Sequence, residues 1–117
     1  QQPQFTQVLH PSLSDSAGHQ FWKEVCTTGK SAGLASVIFD SRYDMHAVRR
    51  FCDNLKLFKL GFSWGGPVSL VMLYDLKQMR ALENTHLQQG LLVRFCIGLE
   101  HPNDLIQDIQ NALKQLE

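Results

Sequence analysis

Apolar residues occur along this chain in short blocks, some with the alternating period of a strand and others with the 3.6-residue period of a helix. Residues 5–10 read as a short extended segment stopped by Pro11. A Ser-rich loop follows over residues 12–18, and residues 19–26 bring Phe21, Trp22 and Val25 near helical spacing. Residues 27–33 carry two glycines and three hydroxyl side chains and read as a loop. The Val-Ile-Phe run in residues 34–39 has the β-branched and aromatic character of a strand. Asp44 is placed to cap a helix running to about Leu55, with Met45, Val48, Cys52 and Leu55 on one stripe.

The second half repeats the alternation. Residues 56–60 form a short strand, residues 62–67 a turn around Gly65-Gly66-Pro67, and residues 69–74 a further strand. Asp75 can cap a short helix reaching about Leu82, with a polar linker over residues 83–89 and a strand over residues 91–99. Pro102 stands at a first helical position, ahead of an apolar face made by Leu105, Ile106, Ile109, Leu113 and Leu116. The order β-α-β-α-β-β-α-β-α with short connections predicts an α+β two-layer sandwich. Its sheet is mixed, mostly antiparallel, and has helices on one face.

Composition narrows the classes. At 117 residues, 44% hydrophobic and 19% charged, the chain suits one domain with one core. Eleven Lys and Arg balance eleven Asp and Glu, so the basic excess of a nucleic-acid binder is missing. The cleanest apolar stretches, residues 68–74 and 91–93, fall far short of the roughly 20 residues of a membrane span. Cys26, Cys52 and Cys96 are odd in number and widely spaced, which predicts free thiols in a reducing, cytoplasmic compartment. No signal-peptide pattern opens the sequence. It begins Gln1-Gln2-Pro3-Gln4 and not with Met, so the expectation is the middle of a longer polypeptide, or a processed or trimmed chain.

Candidate chemistry is sparse. Thr28-Gly29-Lys30-Ser31 lacks the glycine of a phosphate loop, since Glu24 stands at that position. The five histidines (10, 19, 46, 86 and 101) show no metal-ligand spacing, and no metal site is expected. Phe62-Ser63-Trp64-Gly65-Gly66 reads either as a loop whose glycines let a ligand approach the backbone, or as a Gly-Gly turn with a Trp packed on it. Arg94 is the strongest oddity, because Leu91-Leu92-Val93-Arg94-Phe95-Cys96-Ile97 has no other polar residue. On strand alternation it shares a face with Leu92 and Cys96, opposite Val93, Phe95 and Ile97. A guanidinium there needs an anion, either an internal Asp or Glu or a carboxylate ligand held by the planar two-pronged donor.

Several stretches together carry a resemblance. They are Val8-Leu9-His10-Pro11, Gly18-His19-Gln20-Phe21-Trp22-Lys23, Gly61-Phe62-Ser63-Trp64-Gly65-Gly66 with Ser69-Leu70, and Leu92-Val93-Arg94-Phe95-Cys96-Ile97-Gly98-Leu99-Glu100 followed by Pro102 and Asp104-Leu105-Ile106. In that order, across nearly the whole chain, they resemble the C-terminal domain of the Cys/Met-metabolism family of pyridoxal-phosphate enzymes. The resemblance implies the small C-terminal domain of a fold-type I enzyme, in which Arg94 binds the substrate α-carboxylate. Ser63 would lie near the cofactor-bearing lysine and Trp64 beside the carboxylate. Trp after the loop serine points to the β-lyase branch, which converts cystathionine to homocysteine, pyruvate and ammonia. Relatives of the γ-synthase and γ-lyase type commonly carry Leu there.

The sequence also departs from the family. Val68 stands where relatives often have Glu, Pro67 where an aromatic is common, and His101 where Asp frequently caps the last helix. None of Lys23, Lys30, Lys56, Lys59, Lys77 or Lys114 lies in the context of the Schiff-base lysine. The resemblance therefore implies a large cofactor-binding domain outside this sequence, a chain inactive alone, and a homotetrameric full-length enzyme. The other readings are a γ-type enzyme and a free-standing, non-catalytic binding module on the same fold.

Overall fold

The computed structural model of the 117-residue chain describes residues 2–26, 30–79 and 86–116. Its order is β1 (Phe5–Leu9), α1 (His19–Val25), β2 (Leu34–Phe39), α2 (Met45–Asn54), β3 (Lys59–Leu60), β4 (Leu70–Tyr74), α3 (Leu76–Met79), β5 (Leu92–Cys96) and α4 (Pro102–Leu113), the last extended by a 3₁₀ turn over Lys114–Leu116. The strands form one sheet in the order β1-β2-β5-β4-β3, with β3 and β4 parallel and every other pair antiparallel. This is the α+β, mostly antiparallel arrangement that the pattern predicts.

One face of the sheet holds the core. Val37 and Phe39 of β2, Val71 of β4, and Val93 and Phe95 of β5 pack against Val48, Phe51 and Cys52 of α2 and Leu105, Ala112 and Leu113 of α4. Phe39, Phe51, Phe95 and Phe58 link across it in one tilted and two edge-to-face contacts, with neighbouring centroids 5.2, 6.4 and 5.2 Å apart. Asp44 caps α2 as expected, its carboxylate accepting from the Ala47 N–H at 2.8 Å. At α4, the His101 ring accepts from the Asn103 N–H at 3.3 Å, a longer and weaker cap, while Pro102 takes the first helical position. Helix α1 lies apart from the core. It buries no residue and leaves Phe21 and Val25 77% and 75% exposed.

Three strands are shorter than the pattern predicts, and each is cut back where backbone N–H groups find a side-chain acceptor. The expected strand over residues 56–60 reduces to Lys59–Leu60, because the Asp108 carboxylate accepts from the N–H groups of Lys56 and Leu57 at 2.8 Å and reaches Phe58 at 3.4 Å. Strand β4 begins at Leu70 because the Ser69 N–H goes to Glu100 at 2.8 Å. Strand β5 ends at Cys96, and the Gly98 N–H donates to the Ser69 hydroxyl at 2.9 Å. The apolar face assigned to α4 needs one correction: Ile106 is 53% exposed, and the buried position on that face belongs to Asp108. The expected helix toward residue 82 is seen as Leu76–Met79, and residues 80–85 lie outside the described residues.

Asp108 is buried and ties α4 to the start of β3 through consecutive backbone donors. Replacing it with Ala strands those donors away from water, so Asp108→Ala should destabilise the fold by roughly 3 kcal/mol in urea unfolding. Asp108→Asn keeps one acceptor oxygen and should cost less. A loss for Asp108→Ala below about 1 kcal/mol would mean that water satisfies the segment instead.

Candidate functional site

Arg94 sits in the middle of the central strand on the face away from the core, opposite Ser36 of β2 and Met72 of β4. That face carries no helix of the core layer, but chain segments cross both its ends. At one end the 61–68 loop covers Cys96, whose sulfur accepts from the Gly65 N–H at 3.3 Å. At the other, a Cβ added at Gly90 would collide with the Phe39 carbonyl oxygen and Ile38. Arg94 lies between these ends, half-buried, with its guanidinium 5.8 Å from the Tyr74 ring centroid.

Of the two partners weighed from the sequence, an internal Asp or Glu is not found on Arg94 among the described residues. Arg94 Nη2 donates to the carbonyl of Phe62 at 2.7 Å and lies 3.3 and 3.4 Å from those of Gly61 and Ser63. Its Nε is buried with no hydrogen-bond partner. Among the described residues the ion pair lies elsewhere, between Arg42 and Asp40. Carbonyl dipoles thus hold the guanidinium in place, while no carboxylate among the described residues neutralises its charge and its Nε finds no acceptor among them.

The loop that supplies those carbonyls carries the other two candidate residues. Ser63 is exposed and Trp64 is 69% exposed, so the reading of a turn with a packed Trp is overturned. Gly65 has φ 74°, a left-handed conformation that favours glycine, and it reverses the chain after Trp64. Leu60, Phe62 and Leu99 are also 64%, 72% and 85% exposed, and together with Trp64 they form an apolar rim at this end of the sheet. Arg94, Ser63 and Trp64 are therefore brought together on one exposed surface by β5 and the loop that crosses it.

Glu100 and Ser69, not singled out in the sequence as site residues, fasten this loop. The carboxylate accepts from the Ser69 N–H at 2.8 Å and from its hydroxyl at 2.7 Å, and Ser69 is fully buried. These bonds, the backbone donor first and the hydroxyl second, hold the Glu100 carboxyl below the usual glutamate range. The Leu99 N–H adds a bond to the Pro67 carbonyl at 2.8 Å. A polar residue at 69 opening an apolar strand, with a lone Glu after Ile97-Gly98-Leu99, was the only sequence signal for this contact.

The described residues do not make a site for pyridoxal phosphate by themselves. Such a group needs a lysine for its aldehyde and several donors for its phosphate, whereas this surface offers one guanidinium. Lys59, on neighbouring β3, directs its ammonium to the Lys56 carbonyl at 2.7 Å. All three thiols are free, and burial, aided by Asp53, pushes Cys52 up to about 12. No group of three metal-ligating side chains occurs among the described residues, and Thr28 and Gly29 of the Thr28-Gly29-Lys30-Ser31 stretch lie outside them. No described helix is long and apolar enough to cross a membrane.

Comparison with known proteins places this geometry in context. Residues 1–114 match the family model of the Cys/Met metabolism PLP-dependent enzymes. Cystathionine beta-lyase MetC of Escherichia coli is 35% identical over 116 residues, which are 97% of this chain and 29% of that protein. An L-alanine/L-glutamate racemase of Wolbachia pipientis is 34% identical over 93% of this chain and 27% of its own length. Among solved structures, cystathionine gamma synthase of Xanthomonas oryzae in complex with cystathionine superimposes with a TM-score of 0.72 at 27% identity, covering 98% of this chain and 30% of that one. The chain thus spans under a third of the length of the proteins it matches.

An arginine kept for a ligand contributes little to folding. In Arg94→Met the exposed loop carbonyls return to water and the unpartnered Nε disappears, so stability should stay within about 1 kcal/mol of the parent in chemical denaturation. A loss of 3 kcal/mol or more would instead make Arg94 a structural residue.

Proposed function

The chain belongs to the Cys/Met metabolism pyridoxal-phosphate-dependent enzyme family, and from that premise we propose that it is the C-terminal, substrate-binding domain of a carbon–sulfur lyase. In this reading the large cofactor-binding domain lies outside these 117 residues, and the whole enzyme is a cytoplasmic homotetramer. The reaction is that of a cystathionine β-lyase, giving homocysteine, pyruvate and ammonia from cystathionine. The observation that carries the proposal is the guanidinium of Arg94, fixed by three backbone carbonyls yet paired with no carboxylate of the described chain.

A fixed guanidinium with unused donors suits the α-carboxylate of an amino acid, because both are planar and two parallel N–H···O bonds fit them together. Held in this way, the plane of the substrate carboxylate is fixed, and the rotation left about the bond to Cα is for further contacts to restrict. The Ser63 hydroxyl and the Trp64 indole N–H stand on the same exposed loop as further donors. The apolar rim of Leu60, Phe62 and Leu99 supports a second wall closing over the substrate and excluding water. The groups that would hold pyridoxal phosphate belong to that second wall, and the cofactor bound there would supply the electron sink for α-proton removal and β-elimination.

Trp64 supports the β-lyase over γ-type members of the family, which commonly carry Leu at the corresponding place. In the full-length enzyme, Arg94→Ala should lower kcat/KM by roughly 2–5 kcal/mol, about 30- to 5,000-fold, in a pyruvate-release assay with cystathionine. A near-parental value would remove Arg94 from the site. Trp64→Leu should shift the preference between β- and γ-elimination substrates, and an unchanged ratio would withdraw the reason for choosing the β-lyase. Pyruvate release by this chain alone with added cofactor would contradict the division into two domains.

A further inference from the structure

We propose that Glu100 and Ser69 form a positioning latch for the Arg94 carboxylate site, acting through the loop that holds the guanidinium. The inference rests on the reading of Arg94 as the carboxylate-binding residue.

The chain of contacts is continuous. Glu100 lies beyond the end of β5 and takes both donors of Ser69, the backbone N–H at 2.8 Å and the hydroxyl at 2.7 Å. The hydroxyl oxygen in turn accepts from the Gly98 N–H at 2.9 Å, so Ser69 Oγ both donates and accepts in this half-buried contact. Two residues earlier, the Pro67 carbonyl receives the Leu99 N–H, which fixes the C-terminal end of the 61–68 loop to the strand that carries Arg94. The other end is fixed to β4 by the Gly61 N–H donating to the Val71 carbonyl at 3.3 Å. Between these anchors lie the carbonyls of Phe62 and Ser63 that hold Arg94 Nη2.

The approach is close enough to demand glycine at position 98, where a Cβ would meet the Pro67 carbonyl oxygen and Glu100 Oε2. A carboxylate is the group that can accept from both Ser69 donors at once. Leucine keeps much of the size of the side chain and offers no acceptor to either donor, so it breaks the latch, whereas glutamine keeps it in altered form, with Oε1 accepting from the N–H and Nε2 donating to the hydroxyl oxygen. With leucine the loop is released at the end nearest Trp64, and the guanidinium loses its fixed orientation. Misplacement of about 1 Å at such a site is enough to lower performance on the order of 100-fold.

The test uses full-length holoenzyme and two competitive ligands differing only in the carboxylate, L-alanine and ethylamine. Glu100→Leu should weaken L-alanine inhibition roughly 10- to 100-fold and raise KM for cystathionine to match, while ethylamine inhibition stays unchanged. Ser69→Ala, which removes the hydroxyl alone, should act in the same direction, and the double variant should be no worse than the more severe single one. If Glu100→Leu does not accumulate as folded holoenzyme, Ser69→Ala carries the same comparison. Equal weakening of both ligands would make the contact a general structural tie, and unchanged L-alanine inhibition would leave it without influence on the site. Either result overturns the latch. Arg94→Ala separates the two levels: if it leaves the preference for L-alanine over ethylamine intact, the reading of Arg94 itself fails, whatever Glu100 does.

Discussion

A positive charge set in the middle of a central strand has to be met by something, and how the Arg94 charge is met organises this end of the molecule. The strand places Val93 and Phe95 in the core on one side and Arg94 on the other, so the guanidinium cannot leave the open face without disturbing the packed one. Backbone carbonyls of the loop after β3 come to it instead of an acidic side chain. That choice has two consequences. The loop must cross the sheet at a defined height, which Cys96 beneath Gly65 and the ties to Glu100 and Leu99 provide. And the net charge remains available to a carboxylate arriving from outside.

The two carboxylates near the C-terminus do related work on the neighbouring strands β3 and β4. Asp108 gathers the N–H groups that lead into β3, and Glu100 gathers those of Ser69 at the start of β4. Both use an ionised side chain to satisfy backbone donors where the ladder stops, a role that neutral acceptors fill less well. Strands β3 and β4 run parallel, and the loop between them is the one that holds Arg94. The segment from residue 100 to α4 therefore fixes both the entrance to β3 and the exit of that loop. It links the core layer to the exposed surface without contributing a side chain to that surface's carboxylate site.

Much of this was legible in the sequence, and the parts that were not have a common cause. Strands β2, β4 and β5 and helices α2 and α4 follow from β-branched runs, helical apolar stripes, Asp44 and Pro102, all of which act locally. The ends of β3, β4 and β5 were misplaced because they depend on Asp108, Glu100 and Ser69, partners tens of residues away. Ile106 and Asp108 exchanged places on α4 for the same reason: hydrophobicity gave the stripe, but a distant set of N–H donors outweighed it. Arg94 stood out as an arginine in an apolar strand, yet its carbonyl partners left no trace in side-chain identity. Ser63 and Trp64 became notable through family resemblance, and the structure adds that they share an exposed loop with the carbonyls that hold Arg94.

The most direct measurement is a crystal structure of the full-length enzyme with cystathionine bound. The account predicts the substrate's α-carboxylate within hydrogen-bonding distance of Arg94, with the Phe62 carbonyl still on Nη2 and Ser63 and Trp64 at the rim of the same pocket. A substrate carboxylate bound elsewhere, with an Asp or Glu from another part of the enzyme paired to Arg94, would contradict it.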